Sequence, residues 1–300
     1  MKRQWYYRGS LKSCNYSCSY CPFSKKKDCL PKLQMDRTAF FRFVEKACKE
    51  KIIQGAVQIV PYGEALIHSY YWEGLAKLSR NPQLDAVGAQ SNFSFPVEQM
   101  LSCYREQGGI ADKLRLWGTF HPEMTSIEQF VQQCKHLTYQ KISYCVGAVG
   151  VPEHIPIIQK LRHSLPSSVY LWINKMDGAD RTYTPSEKKA FLEIDSYFEL
   201  ELSHHKSDWK LCMNNRFVEA DGTMHRCNLD KQSVGNFYHD IVSNKIPACR
   251  RKECSCFLSY CNQKEEALRP FLPYPAFRIP LDWNYSGTSS QRPRSKLWGL

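Results

Sequence analysis

The chain has 300 residues, 43% hydrophobic content and a formal net charge of +12, which is long enough for one large domain with a full core plus a small one. No stretch approaches eighteen uninterrupted apolar residues, which excludes a membrane-spanning helix, and Met1-Lys2-Arg3-Gln4-Trp5 lacks the apolar run of a signal peptide. The positive balance favours an anionic partner such as a nucleic acid, an acidic peptide segment or an acidic reductase. Most of the fourteen cysteines fall in metal-like clusters; with no export signal, this points to the reducing cytoplasm rather than to a disulfide framework.

Arg3 to Tyr7 read as a strand that delivers the loop Cys14-Asn15-Tyr16-Ser17-Cys18-Ser19-Tyr20-Cys21. Asp36 reads as the N-cap of a helix that carries Phe40, Phe43, Val44, Ala47 and Cys48 at helical spacing. A second strand, Ala56 to Val60, stops at Pro61 and leads through Gly63-Glu64 into a helix ending near Asn81-Pro82. Strand three runs from Leu84 to Ala89, followed by Ser91-Asn92 and a helix from Pro96 to Gln107 that Gly108-Gly109 terminates. Strand four, Lys113 to Thr119, has His121 just beyond it, and Thr125-Ser126-Ile127-Glu128 reads as a capping box for the next helix. Strand five spans Ile142 to Val149 and is followed by Gly150 and a helix to Ser164. Strand six, Val169 to Asn174, precedes Thr184-Pro185-Ser186-Glu187, a capping box with proline at the first helical position. Strands alternating with helices imply a parallel sheet with right-handed crossovers, its ligands collected at the carboxyl ends of the strands.

The cysteine loop has the spacing C-x3-C-x2-C. Three thiolates can hold three irons of a 4Fe–4S cube and leave the fourth iron without a protein ligand, a place for chemistry. A zinc knuckle or three unrelated thiols is the blander alternative. The run Cys14, Cys18, Cys21 resembles the signature of the radical S-adenosylmethionine superfamily, whose core is a partial barrel of six strand–helix units. The resemblance implies that the three cysteines hold the catalytic cluster, that S-adenosylmethionine binds its open iron, and that Tyr20 lies against the adenine. Pro61-Tyr62-Gly63-Glu64 looks like the family's glycine-glutamate motif after strand two, which receives the methionyl amino group; here the match runs through Gly63 and Glu64 only. Val146 to Glu153 resembles the family's strand-five motif, with Gly150 close to the adenine. Position alone, just after a strand, adds Asn92, Thr119, His121 and Asn174 as polar candidates for contacts with the cofactor. An electron from an external donor of flavodoxin or ferredoxin type would then cleave the cofactor to methionine and a 5′-deoxyadenosyl radical, which takes a hydrogen atom from substrate.

After Asp195 the pattern changes to short segments, with six cysteines between Cys212 and Cys261. Asn215 to Arg226 reads as a hairpin around an Asp-Gly turn, with Cys212 and Cys227 at its base. The spacing C-x9-G-x4-C resembles the opening of SPASM and twitch extensions, which implies two ligands of one auxiliary 4Fe–4S cluster. Two of Cys249, Cys254, Cys256 and Cys261 would complete it, and a structural zinc site among those four is the alternative. The expected division is a barrel over 1–195, a cysteine-rich domain over 196–265 and a basic, proline-containing tail over 266–300.

Three functions compete. Twitch and SPASM extensions accompany radical chemistry on peptides, which makes oxidative or bond-forming peptide modification the leading expectation, with the peptide captured by the C-terminal region or a separate partner. The charge, and Trp283, Tyr285 and Trp298 among arginines in the tail, favour nucleic acid or nucleotide modification instead. A non-catalytic iron–sulfur electron carrier is the third, and it does not need the polar strand ends.

Overall fold

The computed structural model describes residues 3–23, 27–49, 53–176, 182–202, 205–206, 215–239, 253–254, 269–271 and 273–280. In chain order these form β1 (Gln4–Gly9), α1 (Leu30–Lys49), β2 (Gly55–Ile59), α2 (Ser69–Ser79), β3 (Leu84–Ser91), α3 (Val97–Glu106), β4 (Leu114–Phe120), α4 (Ile127–Tyr139), β5 (Ser143–Val149), α5 (Ile155–Ser164), β6 (Leu171–Asn174), α6 (Pro185–Ile194), α7 (Phe198–Leu202), β7 (His205–Lys206), β8 (Asn215–Glu219), β9 (Thr223–His225), β10 (Ser233–Asn236) and β11 (Glu253–Cys254). The main sheet has the order β10-β9-β8-β1-β2-β3-β4-β5-β6, with β1 to β6 parallel in sequence order, as the alternation of strands and helices requires. β8 pairs parallel to β1 and turns through Asp221-Gly222 into β9, so the expected hairpin extends the barrel sheet at its first strand.

Both faces of the parallel strands are buried, and the register decides what each face meets. Trp5 and Tyr7 pack outward with Phe40 and Phe43 of α1, while Tyr6 points the other way, opposite Gln58 and stacked on Phe217 of β8. On that inner face Tyr6, Trp117, Cys145, Trp172 and Phe217 share one cluster with Phe271 and Ala276. Strands that are neighbours of neighbours can share a cluster only if the sheet is curled around it, so the six units form a partial barrel with a filled lumen.

Two local expectations are corrected. α1 begins at Leu30, with Pro31 in its first turn, so Asp36 lies inside the helix and not at its cap. It is 1% exposed and accepts hydrogen bonds from Ser10 N (3.0 Å), Ser10 Oγ (2.8 Å), Tyr70 Oη (2.9 Å) and Tyr71 Oη (2.7 Å). Four donors offset the cost of burying the carboxylate, and they tie α1 to the start of the cysteine loop and to α2. The α4 capping box is Ser126 with Gln129, one residue later than the sequence suggests.

The α6 box forms as expected, Thr184 Oγ1 accepting from Glu187 N and Glu187 Oε2 from Thr184 N. Thr184→Ala should therefore lower stability by about 1 kcal/mol, as measured by urea denaturation. A loss below about 0.3 kcal/mol would show that the helix is held by packing alone.

Candidate active site

The cysteine loop leaves β1 and is held mainly by hydrogen bonds to its backbone and to Ser19 and Asn15, with Cys14 Sγ accepting from Tyr16 N (3.3 Å) as well. Asp28 Oδ2 accepts from Lys12 N (2.8 Å) and Ser13 N (2.9 Å), and Glu123 accepts from Ser19 N and Ser19 Oγ, both at 2.6 Å. Gly63 N donates to Leu11 O and Glu64 N to Ser13 O. A Cβ on Gly63 would stand 2.1 Å from the Ser13 carbonyl oxygen, so only glycine lets the turn after β2 lie against this loop. Asn92 Nδ2 donates to Asn15 Oδ1 (3.0 Å) and lies 3.8 Å from Cys14 Sγ, which ties the end of β3 to the loop as well.

The three thiols border a cavity of about 330 Å³, within the range of small-molecule sites. Its wall is built from the carboxyl ends of the parallel strands: Gly63 and Glu64 after β2, Ser91 of β3 with Asn92 just beyond it, Trp117 and Thr119 of β4 with His121 beyond them, Val149 of β5 and Asn174 of β6. Tyr20 joins them, stacked on His121 at 5.9 Å with its hydroxyl 2.9 Å from Nδ1. Burial pushes His121 down to about 4, with Glu123 opposing, so the imidazole is neutral at pH 7. Cys14, Cys18 and Cys21 are thus brought together with Tyr20, Gly63, Glu64, Asn92, Thr119, His121 and Asn174.

Gly150 is not part of this wall. Its N–H donates to Asn174 O (2.8 Å) and its carbonyl accepts from Tyr183 Oη (2.7 Å), so the backbone expected near the adenine is engaged within the protein, and Val149 faces the cavity. The glycine that shapes the β5 wall is Gly147, where a Cβ would stand 2.5 Å from Trp117 Nε1 and 3.3 Å from Asn174 Nδ2. Arg8, Trp117, Lys175, Asn228 and Lys231 also line the cavity. Strand alternation could have found two of them, because a period of two that turns Thr119 inward also turns Trp117 inward, and Tyr6 brings Arg8 with it.

Glu64 is 4% exposed and fully engaged: Oε1 accepts from Leu66 N (3.0 Å) and Ser91 Oγ (2.8 Å), and Oε2 from Asn92 N (2.6 Å). Burial pushes its carboxyl up to about 7, against these three bonds, which favour the ionised form. Cys18 is 4% exposed, and burial pushes its thiol up to about 11, with Cys21 and Cys14 adding to the shift.

The residues present fit a polar cofactor. Trp117 Nε1 and Thr119 Oγ1, in residues 2% and 6% exposed that line the cavity, are buried without hydrogen-bond partners among the described residues. Buried donors are rarely left unsatisfied, and a ligand that accepts from them removes the cost. Among the described residues no three His, Cys, Asp or Glu side chains converge on a position for a single ion. A cube, in which each thiolate binds a different iron, holds its cysteines further apart than one ion does.

Of the second cysteine group, Cys227 is half-buried and its Sγ accepts from Asp230 N (3.1 Å). The loop that follows it carries Asn228 and Lys231 into the cavity wall. Cys254 is placed in β11, opposite His205 of β7. Cys212, Cys249, Cys256 and Cys261 lie outside the described residues, as do Trp283, Tyr285 and Trp298 of the tail. No helix among the described residues is long and apolar enough to cross a membrane.

No family model matches the chain, and no curated protein matches it by sequence. Solved structures match its fold. Native anSMEcpe with bound AdoMet is 15% identical, with 80% of each chain covered and a TM-score of 0.56. The hexahistidine-tagged form with bound AdoMet is also 15% identical, covering 81% of this chain and 77% of that one at a TM-score of 0.57. The complex of native anSMEcpe with AdoMet and the Kp18Cys peptide is 16% identical, with 80% and 79% covered at a TM-score of 0.54. The chain therefore has the fold of these AdoMet-bound structures, a mixed α/β architecture built on a large parallel sheet.

Proposed function

We propose that this chain is a radical S-adenosylmethionine enzyme acting on a peptide. The observation that carries the reading is the junction of three thiols with a cavity of strand ends that holds unpaired buried donors. Cys14, Cys18 and Cys21 would hold a 4Fe–4S cluster, with Tyr20, Glu64, Asn92, Thr119, His121 and Asn174 around S-adenosylmethionine. Bound together, the two cofactors supply reductive cleavage to a carbon radical able to take a hydrogen atom from substrate. The chain's own residues hold the loop rigid through Asp28, Glu64, Asn92 and Glu123, and wall the cavity against water with Tyr16, Tyr20, Tyr62 and Trp117. The electron would come from a flavodoxin or ferredoxin type donor.

A peptide substrate is supported by the peptide bound in one of the matched structures and by the cations Arg8, Lys175 and Lys231 in the cavity wall, which suit an acidic segment. The same cations favour a second reading, a nucleotide or nucleic acid substrate. One auxiliary 4Fe–4S cluster on Cys212, Cys227 and two of Cys249, Cys254, Cys256 and Cys261 would accept the electron left on product, which makes the net reaction oxidative or bond-forming. Zinc at the last four cysteines is the alternative.

Two measurements test the reading. Dithionite-reduced protein should convert S-adenosylmethionine to 5′-deoxyadenosine and methionine, an outcome an electron carrier would not give. Mass spectrometry of coexpressed peptides and of cellular RNA and DNA, for wild type against Cys14→Ala, should show a cysteine-dependent change in peptide. A change confined to nucleic acid would overturn the peptide assignment.

A further inference from the structure

The lumen beneath the cavity is filled from a part of the chain remote in sequence from the strands around it. Phe271 and Ala276 pack with Tyr6, Trp117, Cys145 and Trp172. Phe277 O accepts from the Cys145 thiol (3.3 Å) and Arg278 O from Trp172 Nε1 (2.9 Å). Arg278, at the top of this segment, is 0% exposed and has φ 57. A buried arginine in the left-handed region, where glycine sits at lower cost, is held there by what its side chain touches.

The guanidinium lies 3.9 Å from the Trp117 ring centroid and 5.1 Å from that of Trp172, reaches Glu201 Oε1 at 3.3 Å, and donates to Asn174 Oδ1. A guanidinium has donors only, so the Asn174 amide cannot flip: its oxygen is committed to Arg278 and its Nδ2 remains a donor. Trp117 Nε1, which has no partner among the described residues, and Asn174 Nδ2 lie 2.5 Å and 3.3 Å from where a Cβ on Gly147 would stand, and both residues line the cavity. Two N–H groups therefore converge on one part of the cavity wall.

We propose that Arg278 is a positioning residue for the cavity's ligand. By clamping the Asn174 amide and the Trp117 indole it makes this part of the wall a pair of donors, which selects a ligand group rich in acceptors, such as ring nitrogens or hydroxyl and carboxylate oxygens. The C-terminal residues 269–271 and 273–280 then belong to an active-site element. The inference rests on the cavity being the S-adenosylmethionine site.

The test is calorimetric titration of the anaerobically purified full-length protein with S-adenosylmethionine, for wild type, Arg278→Lys, Asn174→Ala and the double variant. Lysine keeps a charge opposite Glu201 but lacks the planar fork that stacks on indoles and reaches two oxygens at once. Arg278→Lys should bind about tenfold more weakly, and the double variant should lose less than the product of the two single losses, because the share that acts through the Asn174 amide is already gone while the share through Trp117 remains. Tryptophan emission of ligand-free Arg278→Lys should also differ from wild type, since Trp117 and Trp172 lie against the guanidinium. Asn174→Asp keeps the Arg278 contact and replaces the donor by an acceptor; it should bind at least as weakly, even if the lysine variant folds poorly. Binding by Asn174→Asp or by folded Arg278→Lys within about twofold of wild type, or losses that multiply in the double variant, would overturn the inference alone. Wild type that does not bind S-adenosylmethionine would overturn the functional reading and this inference with it.

Discussion

Replacing Cys14, Cys18 and Cys21 together by alanine should remove about four of about eight irons per chain and abolish S-adenosylmethionine cleavage, with the fold unchanged. The expectation of an unchanged fold comes from how the loop is held. Backbone donors of Lys12, Ser13 and Ser19 go to Asp28 and Glu123, the carbonyls of Leu11 and Ser13 accept from Gly63 and Glu64, and Asn15 bonds Asn92; Tyr16 N, 3.3 Å from Cys14 Sγ, and the long Asn92 Nδ2 contact lose a thiol partner. Among the loop thiols only Cys18 is buried, and removing one sulfur there costs about what a small apolar truncation does. Circular dichroism should therefore barely move, and thermal denaturation should match that of iron-free wild type, while iron analysis and product formation change completely. A triple variant that keeps all its iron would show that other cysteines hold it. Wild type with about four irons and stoichiometric zinc would instead assign zinc to the C-terminal cysteines.

Regular features of the fold were legible because they are local. Short apolar strands alternating with helices, a Thr-x-x-Glu box at Thr184 and an Asp-Gly turn at Gly222 each announce themselves within a few residues, and each forms. Asp36 misled because a cap and a buried carboxylate look alike in sequence; what distinguishes them is Ser10, Tyr70 and Tyr71, brought near only by folding. At the site, the strand-end rule located Thr119 and Asn174 but not the reason Asn174 points as it does, which comes from a residue more than a hundred positions away. The family resemblance implies Gly150 near the adenine, whereas Tyr183, beyond β6, donates to its carbonyl.

Glu64→Gln should weaken S-adenosylmethionine binding about tenfold at pH 8 and far less at pH 6, and should reduce the pH dependence of folding expected of wild type. Burial raises the Glu64 carboxyl to about 7, above its value in the unfolded chain, so the native state binds more protons than the unfolded state between about pH 4.5 and 7. Stability must then fall as pH rises through that window, by about 3 kcal/mol if the shift is fully expressed. Asp195, raised by burial to about 6, contributes with the same sign, so the difference between wild type and variant isolates Glu64. Glutamine also leaves one of Leu66 N or Asn92 N facing an amide N–H, a deficit of about 1–3 kcal/mol present at every pH. Protonated Glu64 avoids that deficit because its O–H can donate to Ser91 Oγ while Oε1 still accepts from Leu66 N. A ligand ammonium placed at Glu64, as the family resemblance implies, favours the ionised form and tightens as pH rises through about 7; the amide has no charge to gain. Urea denaturation from pH 5 to 8 reads the folding part and calorimetry over the same range reads the binding part. Wild-type affinity that is flat across pH 7 would remove Glu64 from the ligand contacts and leave it as the tie between the ends of β2 and β3.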